Sequence, residues 1–371
     1  MDVGIITIHN HYNYGAVLQA FALNHVIRKL GHDCKTINCN LEPGRGRLEI
    51  KAKNPGAKFT KMYNILRWFS NKRFDKRFRD FITSHIPVSD VKYNTLEHLL
   101  NKPPKFEAYV TGSDQVWRPA FLDKDIGQAF HLSFANPEFA RLISYAPSFG
   151  ITEIPEQYKE NIQKFLNRYH FLSVRERRGQ EMIKALIGKE AVHVVDPTVL
   201  LSSEEYNTII EAPEVSSDYI LVYAMELGSG MGFLNLVKKV KQKLNLPVIC
   251  VFPIRYDFRW LQVADKVRLD AGPKEFLGLL RNAAIVCTNS FHGTVFSIKF
   301  QKKFLGTPHS ISNSRIESLL EAAGILNRQL ESVTDDTIER ELETPIDYDS
   351  VNEKLQVKIE TSMSFLNNAL S

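Results

Sequence analysis

Cysteine is scarce in this chain. Cys34, Cys39, Cys250 and Cys287 are the only four in 371 residues, and no two are spaced as CxxC. That excludes a paired-cysteine zinc knuckle and a disulfide scaffold, and it suits a reducing, cytoplasmic setting. Long apolar runs are lacking too. Charged or polar residues interrupt each one well short of the ~20 residues a membrane span needs, so no such span is expected. The opening "MDVGIITIHN" has no basic flank and no small-residue cleavage site, and it reads as a buried strand, not a signal peptide. No GxGxxG follows it, so the dinucleotide fingerprint fails. There is no short-period repeat and no low-complexity tract.

The 44% hydrophobic and 24% charged fractions are those of an ordinary globular protein. The length suggests two domains, each able to bury a core without metal or disulfides. Net charge is +5 but uneven: residues 45–79 hold twelve Lys or Arg against Glu49 and Asp75. Phe59, Tyr63, Trp68, Phe69, Phe74 and Phe78 lie among them. An amphipathic helix with aromatics packed down and charges solvated is the favoured reading. The sharper one is peripheral contact with an anionic membrane at the cytoplasmic leaflet. Nucleic acid is not expected as a partner.

Short apolar runs alternate with helical patterns. "VGIITI" precedes a helix from about Ala16 to Leu30, which Gly31 stops; "CKTINC", "AYVTG", "LISYAPSF", "FLSVRE" and "VHVVDP" read as further strands. This rhythm predicts parallel α/β sheets covered by helices. The polar stretch "EAPEVSSD" reads as a linker, after which "YILVYA", "PVICVF", "AIVCTNS" and "KFLGT" begin a second series. The expected division is 1–212 with a basic helical insertion at 45–100, then 217–345, then a C-terminal helix at 346–371. Two doubly wound domains leave a cleft at the C-terminal ends of their strands.

Four segments place a small or polar turn at such a strand end. In "HNHYNYG", Asn13 suits a helix cap and Gly15 a close backbone approach. His9 and His11 have no nearby acid or thiol to complete a metal set, so no metal is expected. In "TGSDQVWRP", Gly112 and Ser113 turn the chain, and Asp114 is a helix cap or a general base, with spacing favouring the cap. "SVRERRG" sends Arg175 off a strand end, followed by Arg177 and Arg178; the fork of arginine suits carboxylate and phosphate, and solvated charge is the better reading of the latter two. In "CTNSFHGTVFSI", His292 and Gly293 open a helix, and a histidine there either satisfies the turn or exchanges a proton near neutral pH.

Taken in order, "NYGAVLQAFAL", "TGSDQVW", "SYAPSFG", "SVRE", "DPT", "TNSFHGTVFSI" and "SRIESLLEAAGI" resemble the polysaccharide pyruvyl transferase family. The resemblance spans about residues 3–328, with "GSDQVW" and "SFHG" the most telling. It implies two Rossmann-like domains facing a cleft in a GT-B-like arrangement. It implies phosphoenolpyruvate as donor, a sugar diol of a cell-surface polysaccharide or its precursor as acceptor, possession of no cofactor, and release of phosphate. By that resemblance Arg175 binds the donor anion, and His292 is catalytic or contacts phosphate. Better-known members carry an arginine where this chain has Ser290, so another cation must serve; Arg315, Arg118, Arg255 and Arg259 are candidates. Ser290, Gly293 and Arg315 are placed with Arg175 at the donor, and Asp114 is assigned to an acceptor hydroxyl. His9, His11, Asn13, Tyr14, Gly15, Gly112, Ser113, Gln115 and Trp117 are expected at the acceptor or the cleft wall. Two other functions fit the same cleft: a GT-B glycosyltransferase using a nucleotide sugar, and a non-catalytic module that reads an anion or glycan.

Overall fold

Nothing polar interrupts the run after Asp2, so it can sit in the middle of a sheet covered on both faces. It forms β1 (Asp2–Ile6), whose last four residues are buried. The computed structural model describes residues 1–40, 72–213, 215, 218–225, 232–251, 258–308 and 313–371. With β2 (Asp33–Thr36), β3 (Ala108–Thr111) and β4 (Arg141–Ser144), β1 makes a parallel sheet in the order β2-β1-β3-β4. A short parallel pair, β5 (Ser173–Val174) and β6 (Val192–His193), adjoins it through an Ile143–Phe171 bridge. The second sheet is also parallel: β7 (Ile220–Tyr223), β8 (Val248–Val251), β9 (Lys266–Arg268), β10 (Ile285–Thr288) and β11 (Lys303–Leu305), ordered β11-β10-β7-β8-β9.

Each sheet winds both ways from its first strand. The direction reverses between β1 and β3 in one sheet and between β7 and β10 in the other. Chains leaving neighbouring strands there diverge to opposite faces and open a crevice at the strands' C-terminal ends.

Helix α1 (Tyr14–Lys29) starts where Asn13 accepts hydrogen bonds from the Gly15 and Ala16 amides, and the chain leaves it through Gly31 at φ +91°. Losing that cap through Asn13→Ala removes about 1 kcal/mol. α1 is buried almost throughout because α2, described over 72–85, covers its outer side. Phe74, Phe78 and Phe81 of α2 are buried and meet Tyr12, Tyr14 and Phe21. This part of the basic segment thus packs its aromatics down. Phe59, Tyr63, Trp68 and Phe69, and with them most of the expected membrane-contacting stretch, lie outside the described residues. No described helix is long and apolar enough to cross a membrane.

The halves are joined by specific contacts. Tyr14 stacks on Phe276 of α10 (Pro273–Asn282) with centroids 4.4 Å apart, and its hydroxyl donates to the Ala271 carbonyl at 2.8 Å. Arg77 of α2 pairs with Asp270 at 2.8 Å and with Glu275. Helix α14 (Tyr348–Leu370) returns to the first half, where the Val195 amide donates to Ser362 Oγ at 3.0 Å.

Under β3, His131 is sandwiched between Trp117 and Phe165, nearly parallel to both, and burial pushes its pKa down to about 3. The unfolded chain takes up a proton there below its ordinary 6.5 while the folded chain does not. Stability from this group is therefore complete above 6.5 and is lost as pH falls toward 3. His131→Phe is expected to flatten the dependence of Tm on pH across this window; an unchanged slope would show that other groups set it.

Candidate active site

The two crevices face each other and enclose one cavity of about 430 Å³. Its lining follows from the topology. Ile8, His11 and Asn13 follow β1; Asp114 and Gln115 follow β3; Met225 follows β7; Asn289, Ser290, Phe291 and His292 follow β10. Arg118 and Arg315 complete the polar wall.

Two helix N-termini meet here, those of α1 and of α11 (Phe291–Lys299). Each brings amide donors and the positive end of a helix dipole, which favour an anion. Ser290 has become the cap of α11, accepting from the Gly293 amide at 3.4 Å. It shapes the turn and supplies no cation. Gly293 packs under Thr288 and Tyr223, where a Cβ would fall 2.2 Å from Thr288 Oγ1, so it holds the helix start against its strand.

His292 sits on Gly15 across the gap between the halves. A Cβ at Gly15 would lie 2.0 Å from the His292 Nδ1, so only glycine admits the ring there. The His292 Nε2 makes no hydrogen bond and stands 3.8 Å from Asp196 Oδ1. At that distance the contact is electrostatic, not a hydrogen bond.

Asp196 ties the floor of the site together. Its Oδ2 accepts from Arg175 Nη1 at 2.7 Å and from Ser113 Oγ at 2.8 Å. Its Oδ1 accepts from the Thr198 amide at 3.0 Å and hydroxyl at 2.6 Å. Burial would raise this carboxyl's pKa, but His292, Arg175 and Thr198 override it and hold it well below the usual carboxylate range. For Arg175 burial pulls the pKa down, and Asp196, Glu176 and Asp114 outweigh it to push it up.

Arg175, expected at the donor, stands behind the cavity wall. Its side chain is only 2% exposed and does not line the main cavity. The guanidinium lies behind the Phe291 ring, 4.7 Å from its centroid. Arg315, from α12 (Ser314–Ala323), is the arginine that lines the cavity next to His292, with Arg118 nearer solvent. Gln115 places its amide oxygen 2.8 Å from Arg315 Nη2. Burial, then the charge of nearby Arg175, pull the Arg315 pKa down to about 10. Two neighbouring cations of this kind favour an anion between or beside them. Arg255 lies outside the described residues, and Arg259 is exposed, away from the lining.

Asp114 caps no helix. It bends the chain at φ +77°, accepts from the Gln115 amide at 2.8 Å and lines the cavity. A non-glycine residue in that region costs about 1–3 kcal/mol and persists where the surroundings impose it. Four other expected wall residues face away. His9 is buried with Nδ1 3.1 Å from the Thr7 carbonyl oxygen; Tyr14 packs between the halves; Trp117 is buried against His131 and Phe149. Gly112 fits tightly against Thr7. The side chains of His9, Tyr14 and Trp117 follow the strand or helix packing and not their nearness in sequence to the turn. Ser113 is buried one layer below, on Asp196. His11 and Asn13 do line the cavity.

Asp196 and Phe291 were not singled out from sequence. The one signal for Asp196 was "DPT" directly after an apolar strand, a pattern that a simple cap before Pro197 also explains.

A family model for polysaccharide pyruvyl transferase matches residues 13–310. A search of curated proteins returns no significant sequence match. Among solved structures, a protein described as a UDP-N-acetylglucosamine 2-epimerase of Listeria monocytogenes superposes with a TM-score of 0.56 at 12% identity, covering 95% of this chain and 90% of that one. The UDP-GlcNAc 2-epimerase of Methanocaldococcus jannaschii, in complex with UDP-GlcNAc and UDP, gives 0.51 at 13% identity, covering 96% and 99%. The Neisseria meningitidis UDP-GlcNAc 2-epimerase bound to UDP-GlcNAc gives 0.51 at 13%, covering 96% and 94%. At such identities the likeness concerns the fold: two Rossmann-like α/β domains facing a cleft, the GT-B arrangement.

Proposed function

The chain belongs to the polysaccharide pyruvyl transferase family, and from that premise we propose that it transfers the pyruvyl group of phosphoenolpyruvate to two hydroxyls of a sugar. The methylene carbon of the enol takes a proton. One sugar hydroxyl bonds to the carbon bearing phosphate and loses its proton. The C–O bond to phosphate breaks, and the second hydroxyl closes the ketal as its proton passes to the departing phosphate. The products are the pyruvate ketal and inorganic phosphate, and the scheme needs no metal or nicotinamide.

The observation that carries the reading is the setting of His292. The residue lines the cavity at the N-terminus of α11, together with Arg315 and the start of α1, and its buried Nε2 faces Asp196 without a hydrogen bond. Phosphoenolpyruvate has a phosphate and a carboxylate, and this site offers cations and amide donors for both. His292 moves a proton or stabilises the departing phosphate. Asp114 orients or deprotonates an acceptor hydroxyl. Asp196 and Ser113 act through Arg175 and His292 and are positioning residues. The cavity is large enough for donor and one sugar ring. The acceptor belongs to a polysaccharide or its precursor.

A thermal-shift series tests the donor. Phosphoenolpyruvate is expected to raise the unfolding midpoint, with UDP- and GDP-sugars giving little. Stabilisation by nucleotide sugars alone would overturn the assignment in favour of glycosyl transfer. Stabilisation by an anionic glycan without turnover of either donor would favour a binding module.

A further inference from the structure

Gln115 reaches across the cavity from one half of the molecule to the other. It follows β3 in the first half, and Arg315 belongs to α12 in the second. A guanidinium offers only donors, so the amide turns its oxygen to it, 2.8 Å from Nη2 and 3.3 Å from Nη1. One oxygen shared by both ends of the fork fixes the plane of the guanidinium, and a bond to a charged donor is among the stronger ones.

The turn that carries Gln115 is held from several sides. Asp114 bends at φ +77°, and its side chain accepts from the Gln115 amide at 2.8 Å. Asp114 also bridges to Pro147, and the Ser148 amide donates to the Asp114 carbonyl at 2.8 Å. That facing loop has positive φ at Ala146 and Gly150. A Cβ at Gly150 would fall 2.9 Å from Gln115 Cδ, so glycine leaves the side chain its room. Strain kept in two loops that brace each other aims the side chain between them before any substrate arrives.

The residue type matters as much as its place. Arg315 feels the neighbouring cation Arg175 and three carboxylates, Glu176, Asp114 and Asp196. A glutamate at position 115 would add another negative charge in direct contact with Arg315, where an anionic donor has to approach. The carboxamide accepts the same bond and adds no charge.

We propose that Gln115 is a positioning residue on the donor side: it holds the Arg315 guanidinium across the cleft and leaves its charge to phosphoenolpyruvate. It is not an acceptor contact. The proposal rests on the pyruvyl-transfer reading of this cavity.

A double-mutant cycle on ligand affinity tests it, read from the rise of the unfolding midpoint with phosphoenolpyruvate and, in parallel, with inorganic phosphate. Gln115→Ala and Arg315→Ala are each expected to weaken binding about tenfold or more. The double variant is expected to bind no more weakly than Arg315→Ala, because Gln115 acts only through that arginine. Losses that multiply would overturn the proposal. Gln115→Glu keeps the size of the side chain and serves should an alanine variant not fold. Without ligand its midpoint is expected at or above wild type, since an ion pair replaces the bond, while its donor affinity falls at least as far as in Gln115→Ala. A merely structural brace would move both together, and wild-type donor affinity in Gln115→Glu would overturn the proposal. In turnover, Gln115→Ala is expected to raise KM for phosphoenolpyruvate and leave KM for the acceptor unchanged; the converse returns Gln115 to the acceptor and also overturns it. Wild-type protein that binds phosphate but not phosphoenolpyruvate counts against pyruvyl transfer alone, and the cycle is then decided with phosphate. Binding of neither overturns the positioning role as well.

Discussion

Asp196→Ala is expected to leave a protein that unfolds well below wild type and turns over no donor. The carboxylate is fully enclosed and makes four hydrogen bonds, to Arg175, Ser113 and twice to Thr198. Removing one partner of a buried ion pair costs about 3–5 kcal/mol, because the other charge is left without compensation. Asp196→Asn separates structure from chemistry. The amide keeps the shape and can still accept from Thr198, but it loses the charge facing Arg175 and His292. Its stability loss is expected to be smaller, while turnover falls about 10²-fold, the scale of a misplaced catalytic group. Circular dichroism melts beside initial-rate measurements check both. An Asp196→Asn protein with wild-type turnover would show that the carboxylate only braces the fold. The charge also predicts acid sensitivity. A carboxyl held below its unfolded value contributes fully above about pH 4–5, and the contribution is lost as pH falls further.

Gly15→Ala is expected to do the reverse: abolish function with little loss of stability. Gly15 is the second residue of α1, where alanine is the better helix former by less than the ~1 kcal/mol of a helix interior. The added Cβ would lie 2.0 Å from His292 Nδ1, far inside contact distance. Either the imidazole swings away or the starts of α1 and α11 separate. Both remove His292 from its place beside Asp196, and a loss of about 10²-fold or more in turnover is expected. The melting temperature is expected to stay within a few degrees of wild type. Near-normal turnover would mean that the ring's position against Gly15 is unimportant to the reaction.

These two positions show what could be read in the chain. Gly15 and His292 each stood out because a strand-to-helix turn is visible locally: an apolar run, a small residue, then helical spacing. Their contact across the two halves is a tertiary fact that no local pattern contains. The sheets are legible for the same reason, since "VGIITI", "AYVTG", "YILVYA" and "AIVCTNS" are short apolar-rich runs without a charged residue. Arg175 was legible as a strand-end arginine, but not its burial behind Phe291, which depends on α11 packing from the other half. Asp196 carries only a local signal, an acid directly before Pro197, which a helix cap explains and which says nothing of its bond to Arg175. Tyr14 and Trp117 neighbour turns at the cleft, yet both turn inward, because large aromatics go where area can be buried. The Asp114 bend at positive φ had no sequence signal, since aspartate there reads first as a cap.

The most direct test of pyruvyl transfer at this cavity is phosphate release from phosphoenolpyruvate across a panel of sugar diols, with the ketal methyl group followed by proton NMR in the same samples. Phosphate and ketal are expected in equal amounts with a competent acceptor, and a folded His292→Ala protein is expected to be slowed by about 10²–10⁴-fold. Nucleotide-sugar consumption with phosphoenolpyruvate left intact, or His292→Ala turning over like wild type, would contradict it.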